Sequence, residues 1–158
     1  MTGDTLLKNV ILPKSVHVIG VDPHSASLHA VAVSVGSSWE VKEMNLFELS
    51  SKIERYAGNL LVVIEDQFMM RHVGLKKLIQ SAGQVQGVCV LAGARFEMIN
   101  VAKWQGFFGL TGIIKKERAE AYIKKAGWYC PLTLNADTAV AVLLSVYARL
   151  NLTWGCKT

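Results

Sequence analysis

The sequence predicts an α/β domain built on a five-stranded mixed sheet with helices packed on its faces. Three observations predict it. Two apolar runs rich in β-branched residues, 16–22 and 60–65, have strand length, and each ends on a carboxylate, Asp22 and Glu65. Segments with helical spacing lie between and after them. The resulting order, β-β-β-α-β-α-β-α-α, alternates strand and helix in its second half, and a strand–helix–strand passage favours parallel pairing.

The elements follow in chain order. Residues 1–14 read as a loose arm, 15–152 as a single domain and 153–158 as a tail. After the strand at 16–22, Pro23, His24, Ser25 and Ala26 form a turn. Residues 28–35 read as a second strand, Gly36, Ser37 and Ser38 as a hairpin turn, and 39–44 as a third strand. Leu46, Leu49, Ile53 and Tyr56 have the spacing of a short amphipathic helix, which Gly58 and Asn59 end. The strand to Glu65 follows. Residues 73–94 read as a helix with Leu75, Leu78, Ile79, Val85, Val88 and Leu91 on its apolar face, and 97–101 as a fifth strand. Residues 106–112, rich in Gly and Phe, read as a loop. Residues 115–126 read as a helix with a basic face, closed by Gly127, and 137–150 as an apolar last helix.

Composition narrows the classes. A chain of 158 residues with 51% hydrophobic and 18% charged residues has the make-up of one globular domain with a real core, not of a disordered chain. The net charge of +5 suits a polyanionic partner without demanding one. Cys89, Cys130 and Cys156 are odd in number and lack metal-ligand spacing, so reduced thiols and a cytoplasmic setting are expected. The N-terminal residues do not read as a secretory signal, and no charge-free apolar run reaches the length of a membrane span.

The chemistry is concentrated in three carboxylates. With the strands at 16–22 and 60–65 side by side, Asp22 and Glu65 leave the sheet at one edge. Asp137 stands in a stretch of small apolar residues, Ala136 to Ala141. Carboxylates gathered there repel one another unless a cation lies between them, and Mg²⁺ prefers oxygen ligands of this kind. Two such ions can clamp the attacking and leaving oxygens of a phosphodiester. Plainer roles exist for each: Asp22 as a turn residue before Pro23, Asp137 as a helix N-cap. Glu65 is harder to dismiss, because burying a lone carboxylate at the end of an apolar run is costly. Asp66 points to the other face of its strand and reads as a solvated or capping group.

With these residues in view, the chain resembles the RuvC-type Holliday-junction resolvases, which have a ribonuclease H-like fold. Residues 19–25, Ile-Gly-Val-Asp-Pro-His-Ser, resemble that family's opening strand and turn, where Gly usually stands in place of His24. Residues 63–69 resemble its IE-x-x-F signature, 83–88 its GQxxGV helix segment, and Ala136, Asp137 and Thr138 its ADA motif. The family usually has a further Asp three residues before the last one. Here that position is Leu134, beside Asn135, whose carbonyl oxygen can serve a metal without adding charge.

The resemblance implies a ribonuclease H-like domain with helices on both faces of the sheet, acting as a structure-selective crossover-junction endonuclease. It implies Mg²⁺, with Mn²⁺ able to substitute, held by Asp22, Glu65, Asp137 and Asn135. It matches Lys103 and either Lys115 or Lys116 to active-site lysines, Lys116 being the one assigned a catalytic role. It also implies a two-fold homodimer, since symmetric cutting needs two sites. The apolar face at Leu75, Leu78, Ile79 and Val85 is the expected contact, with no membrane involved. Phe107 and Phe108 beside Lys115, Lys116 and Arg118 suit stacking and phosphate contacts at a branch point. Their plainer readings are core packing for the phenylalanines and a solvated face for the basic helix. His24, His29 and His72 lack zinc-ligand spacing and read as surface or hydrogen-bonding residues, and Met69 and Met70 as core or dimer contacts. Two other functions compete. A non-catalytic branched-DNA binder on the same fold is favoured by the missing fourth acid. A sugar-kinase or actin-type phosphotransferase is disfavoured by His24 in the phosphate turn and by a length too short for two lobes.

Overall fold

The computed structural model describes residues 12–24, 28–35, 38–66, 75–110, 116–128 and 134–152. Five strands form one sheet in the order β3-β2-β1-β4-β5: β1 (His17–Asp22), β2 (Leu28–Val35), β3 (Ser38–Asn45), β4 (Leu60–Asp66) and β5 (Arg95–Asn100). β1, β2 and β3 are an antiparallel meander. β4 pairs parallel to β1 and β5 parallel to β4, so β1 is the strand at which the sheet changes sense. The helices are α1 (Leu46–Tyr56), followed by a 3₁₀ turn (Ala57–Asn59), α2 (Leu75–Ala92), α3 (Val101–Phe107), α4 (Lys116–Ala126) and α5 (Ala136–Asn151).

Alternation along the central strands divides the core in two. Ile19 and Val21 of β1, Val31 and Val33 of β2 and Leu60, Val62 and Ile64 of β4 pack under α1 and α2, through Leu49, Ile53, Ala82, Val85 and Cys89. Val18, Ala32, Leu61 and Val63 face the other way. They pack under α5, with Trp104 and Phe108 from the α3 region and Ile123 from α4. Helices therefore cover both faces, and both central strands are buried on both sides, which is why they read as continuous apolar runs. Cys89, buried among these apolar groups, has its thiol pushed up to about 11 by burial and is a structural, unreactive sulfur.

Three boundaries differ from the sequence reading. Leu12 is already buried in the core, and the Pro13 carbonyl accepts from the Arg149 guanidinium, within the stretch read as a loose arm. The same guanidinium donates to the Val16 carbonyl and the Ser34 hydroxyl, tying the end of α5 to β2 and to the segment entering β1. Second, the fifth strand begins at Arg95, two positions earlier than the apolar pattern suggested. Third, helix α3 begins at Val101, the last residue read as strand, and runs into the stretch read as a loop from residue 106. Asn100 caps it, its side chain accepting from the Ala102 amide at 2.8 Å, and Gly109 turns the chain away with φ of 69°.

Candidate metal centre

The site is assembled at the edge where β1 and β4 end. The parallel register pairs Val21 with Ile64, so the next residues, Asp22 and Glu65, lie on neighbouring strands at the same level. Alternation puts both on the face covered by α5. Asp22 is fully buried and Glu65 nearly so, an arrangement that costs several kcal/mol unless polar partners or a cation compensate.

α5 brings the third carboxylate. Its close seat on β1 depends on Gly20: a Cβ there would lie 2.1 Å from the Ala141 carbonyl oxygen, so only glycine admits the helix backbone at this distance. The helix start is fixed by a capping box. Asn135 Oδ1 accepts from the amides of Asp137 (3.0 Å) and Thr138 (2.9 Å), and Thr138 Oγ1 accepts from the Asn135 amide (2.8 Å). Asn135 Oδ1, expected to serve a metal, is the helix cap, and Asp137 is not the cap but a first-turn residue, where the helix dipole favours its negative charge.

The turn after β1 adds a residue that the sequence reading set aside. His24 Nε2 lies 3.7 Å from Asp22 Oδ2 and 3.8 Å from Asp137 Oδ1. One ligand atom from each of Asp22, His24 and Asp137 falls within 4.8 Å of the others, the spacing of groups that could share a metal ion. The His24 backbone is held from behind. The His24 amide donates to Nδ1 of His29 at 3.3 Å, and His29 is buried. Burial is the main cause that lowers the His29 pKa. The neighbouring His24 lowers it further and Asp22 opposes. The neutral ring, with Nδ1 free of a proton, is the form that accepts this bond.

Glu65 stands outside that group of three. Its Oε2 accepts from Trp104 Nε1 at 2.9 Å in a buried setting. Trp104 thus fixes one oxygen of the carboxylate from α3. Sequence reasoning missed Trp104, although the signal was present: Asn100 as a cap, followed by Val101, Trp104 and Phe108 at helical spacing.

The remaining expected residues divide. Lys103 is exposed on α3, next to Trp104, and Arg118 is exposed on α4. Phe107 is 45% exposed and meets Phe108 and Tyr147 edge-on. Phe108 is 7% exposed and packs against Tyr122, so it is a core residue and not available for stacking on a base. Lys115 lies outside the described residues, and Lys116 opens α4 without a described side chain. Met69, Met70 and His72 also lie outside the described residues.

Oxygen donors from Asp22 and Asp137 with a nitrogen from His24 suit a divalent cation of the Mg²⁺–Mn²⁺ class, and the neighbouring Glu65 can complete the oxygen set. No protein-family model matches the chain, and no curated protein matches it in sequence. Solved structures do match. The chain is similar to Thermus thermophilus RuvC, with a TM-score of 0.56, 16% identity and coverage of 85% of this chain and 96% of that one. It is similar also to T. thermophilus RuvC in complex with a Holliday junction substrate, with a TM-score of 0.59, 16% identity and the same coverage. The fold is ribonuclease H-like, as the opening resemblance implied. Among the described residues, no helix is long and apolar enough to cross a membrane.

Proposed function

We propose that the chain is a divalent-metal-dependent endonuclease that nicks four-way or otherwise branched DNA. The observation that carries this reading is the convergence of Asp22 and Asp137, from opposite ends of the chain, beside Glu65 on the adjoining strand. A bound divalent ion supplies Lewis-acid stabilisation of charge developing on phosphate oxygens. Asp22, Glu65 and Asp137 hold the cation, and Trp104 keeps the Glu65 carboxylate oriented. Lys103 and Lys116 neutralise the phosphate under attack. Arg118 and Lys115 hold flanking phosphates, and Phe107 offers a ring edge to an unpaired base. The solved complex of RuvC with a Holliday junction substrate, on the same fold, supports branched DNA as the substrate class.

The test is incubation with labelled four-way, flap, fork and linear duplex DNA in Mg²⁺, Mn²⁺ or chelator. Nicks confined to branched DNA and abolished by chelator are expected. Tight junction binding without a nick in either metal would instead establish the second reading, a non-catalytic junction binder. Leu134 at the usual position of a fourth acid, and Asn135 committed to the helix cap, favour that second reading.

Two further results are expected. Replacing Lys115, Lys116 and Arg118 together with Ala should flatten the salt dependence of junction binding by about 0.9 log units of slope per lost phosphate contact. An unchanged slope, measured by fluorescence anisotropy across a salt series, would make this helix an ordinary solvated surface. Of the α2 face expected to carry a homodimer contact, Ile79 is exposed and Val85 is not. Val85 is fully buried against the sheet, and the side chains of Leu75 and Leu78 lie outside the description, whereas Ile79, Val90 and Leu91 are exposed. Leu91→Glu should yield a monomer by light scattering with an unchanged melting temperature. A dimer that persists in Leu91→Glu would place the contact elsewhere.

A further inference from the structure

We infer that His24 is a direct ligand of the divalent cation and shifts the site's preference from Mg²⁺ towards Mn²⁺. The inference rests on the proposed metal site and concerns a residue that contributes nitrogen where the other donors contribute oxygen. Three observations carry it. The first is spacing. His24 Nε2 is 3.7 and 3.8 Å from one oxygen each of Asp22 and Asp137. That exceeds the length of a good hydrogen bond. Donors cis to one another on an octahedral ion, at about 2.1–2.2 Å from it, lie about 3.0–3.1 Å apart, so an ion held between these groups draws the ring and the carboxylates together by about 0.7 Å.

The second observation is support for the His24 backbone. Pro23 restricts the backbone before His24, and the His24 amide is bonded to the buried His29 ring. The imidazole is thus presented from a fixed backbone, as a ligand needs to be. The third is the composition of the donor set. Leu134 contributes no oxygen, and Asn135 Oδ1 is committed to the helix amides, so the first turn of α5 supplies one carboxylate. An imidazole in place of a further oxygen makes the site softer. Mg²⁺ takes oxygen ligands and sheds water reluctantly, whereas Mn²⁺ accepts imidazole more readily.

The probe is Mn²⁺ alone, without DNA, on the full-length protein. Wild type should bind Mn²⁺ in a manner abolished by Asp22→Asn, and pulsed EPR of the bound ion should show coupling to a ¹⁴N nucleus. His24→Gln should lose that coupling. It should also weaken Mn²⁺ by about tenfold or more while changing Mg²⁺ affinity, measured by competition, by less than about threefold. Circular dichroism melting of His24→Gln checks that the fold is kept, and the ¹⁴N coupling in wild type needs no variant at all. Asp22-dependent Mn²⁺ binding without ¹⁴N coupling would overturn the role of His24 and leave the metal site standing. Tighter Mn²⁺ binding in His24→Gln would show that the ring occupies the cation's place instead of holding it. Absence of Asp22-dependent Mn²⁺ binding in wild type would overturn the metal site and the inference together.

Discussion

Asp22→Asn should lower nicking of a four-way junction by about three powers of ten or more while leaving junction affinity within about twofold. Asp22 is fully buried at the end of β1, level with Glu65 and within reach of His24 and Asp137. An amide preserves its shape and removes the charge that draws a divalent cation. Loss of the several kcal/mol that a cation contributes to a phosphoryl transition state corresponds to that fall in rate. Binding should survive because the proposed contacts to the DNA backbone, Lys103 on α3 and Arg118 on α4 among them, are cations and not these carboxylates. Glu65→Gln should behave in the same way, since the amide can still accept from the Trp104 indole. Cutting that persists in both variants, measured under single-turnover conditions, would place the chemistry elsewhere in the molecule.

Gly20→Val should destabilise the fold by about 3 kcal/mol or more, lowering the melting temperature by about 6–12 °C. The Ala141 carbonyl lies where the new Cβ must go, and Ser145 N is close behind it at 3.2 Å, so the helix backbone itself must retreat. A backbone cannot rotate away as a flexible side chain can. The retreat of α5 also carries Asp137 away from Asp22, so whatever protein still folds should have lost its affinity for Mn²⁺. Gly58→Ala is the matched control. A Cβ there meets nothing within 4 Å, and stability should change by no more than about 0.5 kcal/mol. A Gly20→Val protein with the wild-type melting temperature would contradict the close seat of α5 on β1.

Most of the sheet was legible because its strands are simple. β1 and β4 are buried on both faces, so their apolar runs are unbroken until the carboxylates, and α1 has a clean helical period. The shared edge of Asp22 and Glu65 followed from parallel pairing alone. What could not be read from local pattern depended on packing between distant segments. Phe107 and Phe108 are adjacent in sequence and identical in type, yet one is half-exposed and the other lies in the core, because α3 turns only one of them towards α4. Trp104 fell between the strand read at 97–101 and the loop read at 106–112, where Gly106 and Gly109 masked a seven-residue helix. His24 was judged by its neighbours in sequence, none of which is a ligand at zinc spacing. Its partner Asp137 arrives only when α5 docks on Gly20. A glycine inside an otherwise β-branched strand was the available signal for that docking.

The most direct test of the proposed chemistry is the structure of the DNA ends produced on an immobile four-way junction. Carboxylates that position a cation for in-line attack by water, with the 3′-oxygen leaving, generate 5′-phosphate and 3′-hydroxyl ends. The expected result is nicks that DNA ligase seals directly, formed with Mg²⁺ or Mn²⁺ and absent in chelator and in Asp22→Asn. Nicks that form in chelator, or that carry 3′-phosphate and resist ligase, would contradict a metal-dependent nuclease at Asp22, Glu65 and Asp137.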